Sequence, residues 1–327
     1  MRPAIAKNPP RDKNFACEKA LSFLASPAMS KTTRFNLDQY FTRVSSRVNV
    51  ALDKLIPDDT VEPPTIHKAM RYSLFAGGKR IRPVLTLAAC DAVNGKSANA
   101  MPLACAVECI HTYSLIHDDL PCMDDDDLRR GKPTNHKIFG EGIAVLAGDA
   151  LLTQAFELIA LAKPPCRYTI ATMVQELAFA SGSLRLIAGQ VQDLENESRR
   201  ATLDEVRTTH MNKTAALLTA ALRLGAMAGN ATAPQLGRLT KYGQDIGLAF
   251  QIIDDVLDAT SSKEVMGKSV HADQKNRKST YASVLGVEKS RALAASLIAD
   301  AHRQLAIFGN RATPLHVIAD FFLTRKH

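Results

Sequence analysis

From Phe35 onward apolar residues recur every three to four positions, while runs rich in Val, Ile and Thr with a period of two are almost absent. That period belongs to a helix with one buried face, so the pattern predicts an all-α fold. Helices are expected over 36–55, 63–76, 81–93, 100–120, 140–162, 167–195, 203–229, 232–259, 279–307 and 314–324. Boundary residues support several of them. Thr202 with Glu205 reads as a capping box, Thr313 before Pro314 as an N-cap followed by proline, and Asn94-Gly95 as a C-terminal stop. The segment "AVECIHTYSLIHDD" is apolar on nearly all sides, which predicts a central helix with acidic residues at its C-terminal end. Short linkers near 57–63, 163–166 and 230–234, with no internal repeat, predict a single-domain bundle of about ten helices.

Composition narrows the function. The 327 residues are 46% hydrophobic, enough for a large core, and the formal charge is +8. The basic residues are dispersed and there is no tryptophan, which argues against nucleic acid and toward small phosphorylated ligands. The six cysteines show no C-x-x-C spacing, and a reduced, cytoplasmic setting is expected. No uninterrupted run of 18 apolar residues occurs, so no membrane partner is expected. Residues 1–28 carry Pro, Arg and Lys without a sustained apolar stretch, and are expected to be a mobile extension ahead of a domain at 29–327. Met29 as the initiator, a short transit-type peptide and a species-specific tail all remain open for them.

The candidate chemistry lies in two acid clusters. "HDDLPCMDDDDLRRGKPT", residues 117–134, holds six aspartates in ten positions and then reverses sign at Arg129, Arg130 and Lys132. So many carboxylates on one surface repel unless cations or protons offset them. Oxygen ligands select hard ions, and magnesium completes its shell with water and phosphate oxygens. A solvated acidic loop is the bland alternative, and no EF-hand spacing is present. "FQIIDDVLD", residues 250–258, places Asp254 and Asp258 four apart, about 40° around a helix axis, so they share a face. "GGKRIRP", residues 77–83, adds Lys79, Arg80 and Arg82 after paired glycines. Two acid clusters for metal and several Arg/Lys groups for phosphate describe a diphosphate site.

These motifs resemble those of the trans-isoprenyl diphosphate synthases: D-D-x-x-x-x-D at 118–124, D-D-x-x-D at 254–258, and GGKRIRP, over roughly residues 36–327. The sequence is most similar to bacterial-type farnesyl diphosphate synthases (geranyltranstransferases). The resemblance implies an all-α bundle around a central active-site cavity, usually homodimeric. It implies Asp118, Asp119, Asp124, Asp254 and Asp258 as metal ligands for three Mg²⁺ ions, with Mn²⁺ a possible substitute. It implies Arg129, Lys213, Thr214, Gln251 and Lys268 at the allylic diphosphate, and Lys79, Arg82, His111 and Arg130 at isopentenyl diphosphate. "GQVQDLE" makes Gln190 and Asp193 supporting candidates, and Arg325 and Lys326 resemble a basic tail that closes over substrate. Arg277 and Ala282 depart from the family's G-K-S-T-Y-P pattern.

The implied reaction is head-to-tail prenyl transfer. An allylic diphosphate ionises, the double bond of isopentenyl diphosphate attacks the carbocation, and a proton is lost. Cations stabilise the leaving group and excluded water protects the carbocation. Tyr113 lies five residues before Asp118, about 7.5 Å along a helix, where its ring would limit the growing tail. An aromatic there together with the Pro121-Cys122 insertion resembles family members that make the fifteen-carbon farnesyl product, which implies that product from dimethylallyl and geranyl diphosphate. Geranyl or geranylgeranyl diphosphate synthases are the alternatives, with a class I terpene cyclase or a non-catalytic prenyl synthase subunit further off.

Overall fold

The first helix begins where Asn36 can cap it: its side-chain oxygen accepts the Gln39 N–H at 2.9 Å. The computed structural model describes residues 35–196, 199–260 and 279–325. The extension expected at 1–28 lies outside the described residues. From Asn36 onward the chain forms one compact unit.

The elements run α1 (Leu37–Leu55), α2 (Pro64–Leu74), α3 (Ile81–Ala92), α4 (Ser97–Asp118), β1 (Leu128–Arg129) and β2 (Lys132–Pro133). Then follow α5 (Asn135–Phe139), α6 (Glu141–Ala160), α7 (Ile170–Ser181), α8 (Leu186–Asn196), α9 (Leu203–His210), α10 (Ala216–Ala228) and α11 (Ala233–Thr260). After the undescribed segment come α12 (Tyr281–Leu285), α13 (Val287–Leu305) and α14 (Thr313–Thr324). The all-α expectation holds, with one two-residue hairpin added.

Three expected helices are broken. The helix expected at 167–195 stops at Ser181 and restarts at Leu186, because Gly182 takes an extended backbone (ψ −171°). The one at 279–307 breaks at Gly286, whose φ of 87° no helix accommodates. The one at 203–229 contains a π-helical turn, Met211–Ala215. Apolar periodicity continues across all three, so it does not reveal them.

Cap chemistry is otherwise well read. The Thr202–Glu205 capping box is present in both directions. At the end of α3, Asn94 adopts φ 65° and Gly95 N–H reaches the Cys90 carbonyl at 2.8 Å, the geometry of a Schellman stop. Thr313 is not a cap: it already lies within the first turn, behind Ala312.

Helix α4 is the central one, packed by α3, α6 and α10, with Leu103, Val107, Ile110 and Ile116 fully buried. Helices α3 and α10 cross so closely that a β-carbon on Gly225 would strike the Thr86 backbone. Cys90 and Cys105 are buried small hydrophobes, their thiols pushed up to about 12 by desolvation. Among the described residues α6 alone is long and apolar enough to cross a membrane. Its Ala144, Ala147, Leu151 and Leu158 are buried in the bundle, where it packs against α4.

Arg80 corrects the reading of GGKRIRP. It is 4% exposed, with Nη1 donating to Glu108 Oε1 at 2.7 Å, Nε to Asn49 at 2.9 Å and Nη2 to the Leu74 carbonyl at 2.5 Å. A guanidinium so fully used is part of the core and not a phosphate ligand.

Candidate active site

The first acid cluster starts where α4 stops. Asp118 is the last helical residue, and the Asp124 N–H then donates to the Asp118 carbonyl at 2.9 Å. On an unbroken helix the two carboxylates would point about 120° apart. The turn through Pro121 and Cys122 instead folds Asp124 back beside Asp118. Asp118 lines the main cavity, and its carboxyl is raised to about 6, chiefly by burial. The Lys213 ammonium opposes that shift and the Asp124 charge adds to it.

Asp119 is 3% exposed and accepts Arg129 Nε at 2.6 and 2.9 Å through its two oxygens. Arg129 also reaches Asp126 at 3.4 Å, and Asp127 pairs with Lys137 at 2.7 Å. The sign reversal in the sequence thus forms a β-hairpin, with Arg129 opposite Lys132 and Arg130 (φ 54°) and Gly131 (φ 74°) in its two-residue turn. From that turn Arg130 donates to the Gly77 carbonyl. Gly78 is required for its φ of 109°, and the Arg130 guanidinium packs where its β-carbon would be.

Across the cavity, the π-turn presents Lys213 and Thr214. Lys213 Nζ lies 2.7 Å from Asp193, and the Thr214 hydroxyl donates to Gln251 Oε1 at 2.9 Å. Gln251, Asp254 and Asp258 follow on α11. Asp254 Oδ1 is 2.6 Å from Arg325 Nη2, which also donates to the Phe250 carbonyl at 2.8 Å. Arg325 lies 3.8 Å above the Phe250 ring, so the basic tail reaches the second acid motif.

Arg82 and His111 line the same cavity as Asp118. Burial brings Arg82 down to about 10 and leaves its Nε without a partner. Burial first, then the fields of Arg82, Arg130, Arg129 and Arg80, hold His111 well below the usual imidazole range, so it is neutral. Lys79 is exposed, 4.8 Å from the Phe321 ring centroid. Lys268, Arg277 and Lys326 lie outside the described residues. Ala282 is helical in α12, where its carbonyl accepts the Gly286 N–H at 3.1 Å.

The cavity itself has a volume of about 660 Å³. Its lining combines the charged groups Asp118, Arg82 and Lys213 and the neutral His111 with the apolar Leu120, Leu152, Leu186, Val191 and Leu217. Tyr113 lines it too, edge-on to His117 with ring centroids 5.8 Å apart. The Tyr113 hydroxyl is buried without a partner, and burial raises its pKa to about 12. The Gln190 side-chain nitrogen is likewise buried and unpartnered at the cavity wall.

The donor chemistry suits a hard cation, since the acid groups supply only oxygens. Among the described residues no three acidic, histidine or cysteine side chains converge as a ready-made metal site. Arg129 and Arg325 instead sit on Asp119 and Asp254. The sequence reading missed the apolar wall residues of α8, the Arg325–Asp254 contact and the burial of Asp255, which is 3% exposed. The wall had a signal, since Leu186, Ile187, Val191 and Leu194 recur at helical spacing.

Comparison with known proteins gives a family model described as polyprenyl synthetase, matching residues 63–306. The chain is 48% identical over 307 residues to the heterodimeric geranylgeranyl pyrophosphate synthase large subunit 1, chloroplastic, of Arabidopsis thaliana, covering 91% of this chain and 82% of that relative. It is 50% identical over 298 residues to the chloroplastic geranylgeranyl pyrophosphate synthase of Capsicum annuum, covering 90% and 80%. The crystal structure of an FPP/GFPP synthase from Zymomonas mobilis superposes with a TM-score of 0.77 at 38% identity, covering 88% of this chain and 99% of that one.

Proposed function

Given that the chain belongs to the polyprenyl synthetase family, and is a prenyltransferase using isoprenoid diphosphates, we propose that it makes geranylgeranyl diphosphate. It would do so by adding isopentenyl diphosphate head-to-tail to allylic diphosphates. The observation that carries this reading is the cavity, whose lining joins charged groups that suit a diphosphate to apolar side chains that suit its hydrocarbon tail. The twenty-carbon product is supported by the names of relatives at 48–50% identity. It replaces the fifteen-carbon product as the leading reading.

In this reading Asp118, Asp124, Asp254 and Asp258 hold Mg²⁺, with Asp119 joining them when Arg129 turns to the allylic diphosphate. The ions would neutralise charge building on the leaving diphosphate. Lys213 and Thr214 face the allylic end from the π-turn, and Gln251 from α11. Arg82, Arg130 and Lys79 grip isopentenyl diphosphate, and His111, kept neutral, adds no charge beside the carbocation. The apolar walls exclude water, which would otherwise capture the carbocation. No protein nucleophile is needed.

A farnesyl product is the second reading, favoured by Tyr113 at the cavity wall. The deciding experiment incubates the purified chain with labelled isopentenyl diphosphate and dimethylallyl, geranyl or farnesyl diphosphate, with and without Mg²⁺. Extension of farnesyl diphosphate to twenty carbons supports the leading reading. A stop at fifteen carbons supports the second. Unconsumed isopentenyl diphosphate with every starter refutes both, leaving a cyclase or a non-catalytic subunit. We further propose a homodimer through α6 and α7, on the support of exposed Leu146 and Phe179. Sedimentation of the purified chain tests it, a monomer being the refuting result. A cytoplasmic location stands against the chloroplastic names of the relatives, and imaging a fluorescent fusion of the full chain separates the two.

A further inference from the structure

Asp255 is the one aspartate of the second motif without an implied ligand role, and it is buried. Its Oδ2 accepts the Tyr281 N–H at 2.8 Å, anchoring the start of α12 to α11. Its Oδ1 faces Gln251 Nε2, one turn earlier on α11, at 3.4 Å. From α9, His210 Nε2 stands 3.7 Å away, too far to donate, and burial keeps the imidazole neutral with its pKa brought down to about 4.

The NH₂ end of the Gln251 carboxamide faces Asp255, whose Oδ1 accepts from it. The carbonyl end then faces Thr214, whose hydroxyl has to donate to it. A hydroxyl has one proton. With that proton committed, Thr214 turns lone pairs toward the cavity, and a diphosphate oxygen, itself an acceptor, gains nothing from it. Turning the proton to the ligand would strip the Gln251 carbonyl of its donor, at a cost in free energy.

We infer that Asp255 is a positioning residue that sets the direction of the chain Thr214 to Gln251 to Asp255, holding Thr214 as an acceptor toward the cavity and leaving Lys213 as the π-turn's donor to the diphosphate. This rests on the reading of the cavity as the diphosphate site. Asp255→Asn reverses the chain. Its oxygen still accepts the Tyr281 N–H, so its NH₂ must face Gln251, whose carboxamide turns over and donates to Thr214. The Thr214 proton is thereby released to the cavity.

The test is a double-mutant cycle of Asp255→Asn with Thr214→Val. It is read by calorimetric binding of inorganic diphosphate with Mg²⁺ and by the allylic and isopentenyl KM values. Thr214→Val is expected to weaken diphosphate affinity and to raise the allylic KM about tenfold more in the Asp255→Asn background than in the wild-type background, while its effect on the isopentenyl KM is the same in both. Gln251→Met cuts the chain at its middle and is expected to give the same Thr214 dependence, which keeps the test open if Asp255→Asn fails to fold. Equal effects of Thr214→Val in all backgrounds overturn the inference while leaving the functional reading intact. A wild-type chain that neither binds diphosphate nor consumes isopentenyl diphosphate overturns the functional reading, and the inference falls with it.

Discussion

Replacing Tyr113 by alanine should lengthen the product. The ring is 6% exposed, stands edge-on to His117 and closes part of the wall of the roughly 660 Å³ cavity. Each five-carbon unit that moves from water into an apolar cavity gains about 4 kcal/mol, at roughly 0.8 kcal/mol per carbon. A longer tail is therefore favoured wherever there is room, and a steric wall opposes further elongation. Removing the ring costs stability by less than the ~3–5 kcal/mol of a fully packed aromatic, because one side already faces open space. Tyr113→Phe isolates the ring from the hydroxyl. That hydroxyl has no partner, so its loss should leave product length unchanged and stability within about 1 kcal/mol of wild type. The assay is chromatography of dephosphorylated products from labelled isopentenyl diphosphate, beside a thermal melt of each variant. A folded Tyr113→Ala protein with the wild-type product profile refutes the reasoning, and a longer product from Tyr113→Phe would move the cause to the hydroxyl.

Three further predictions concern charge. Glu108→Ala should lower stability by about 3–5 kcal/mol in denaturant titrations, since it leaves the Arg80 guanidinium buried without its counter-ion. Asp118 has a folded-state pKa raised from 3.8 to about 6, so its contribution to stability is fully present below pH 3.8 and lost as pH rises toward 6. Metal-free Asp118→Asn should accordingly match wild type near pH 3.5 and exceed it above pH 6, by at most roughly 3 kcal/mol in urea melts. Arg325→Met should remove a competing cation from Asp254 and raise Mn²⁺ affinity several-fold without substrate, measured by electron paramagnetic resonance. Unchanged affinity would mean that the tail does not compete for the carboxylate.

Much of the fold was legible because burial writes a helical period into the sequence, and α4 stood out by being apolar all round. The breaks at Gly182, Gly286 and Met211–Ala215 were not legible, because apolar spacing survives a kink and only backbone geometry records it. The acid motifs were visible as improbable charge density. Their state was not: the Arg129 and Arg325 pairings depend on where distant segments dock. Arg80 misled for the same reason. Beside Lys79 and Arg82 it looks like one more phosphate group, and only the tertiary placement of Glu108 on α4 turns it inward. Asp255 carried no role in the sequence, because its burial and its acceptance of the Tyr281 N–H depend on where α12 docks on α11.

Val145, Ile187, Val191 and Leu194 are 39, 44, 47 and 36% exposed, yet all four line the cavity. On the proposed reading these side chains are wet only until a hydrocarbon arrives, so the folded chain lacks a piece of its hydrophobic interior that the growing product would supply. The enzyme then becomes more stable as its product lengthens, and holds that product more tightly. At about 4 kcal/mol per added unit, escape into water slows by close to a thousandfold with each extension that stays in contact with this wall. Residence time therefore acts as a second clock on chain length, and an apolar sink such as detergent micelles or a bilayer should shorten the product by drawing intermediates off early.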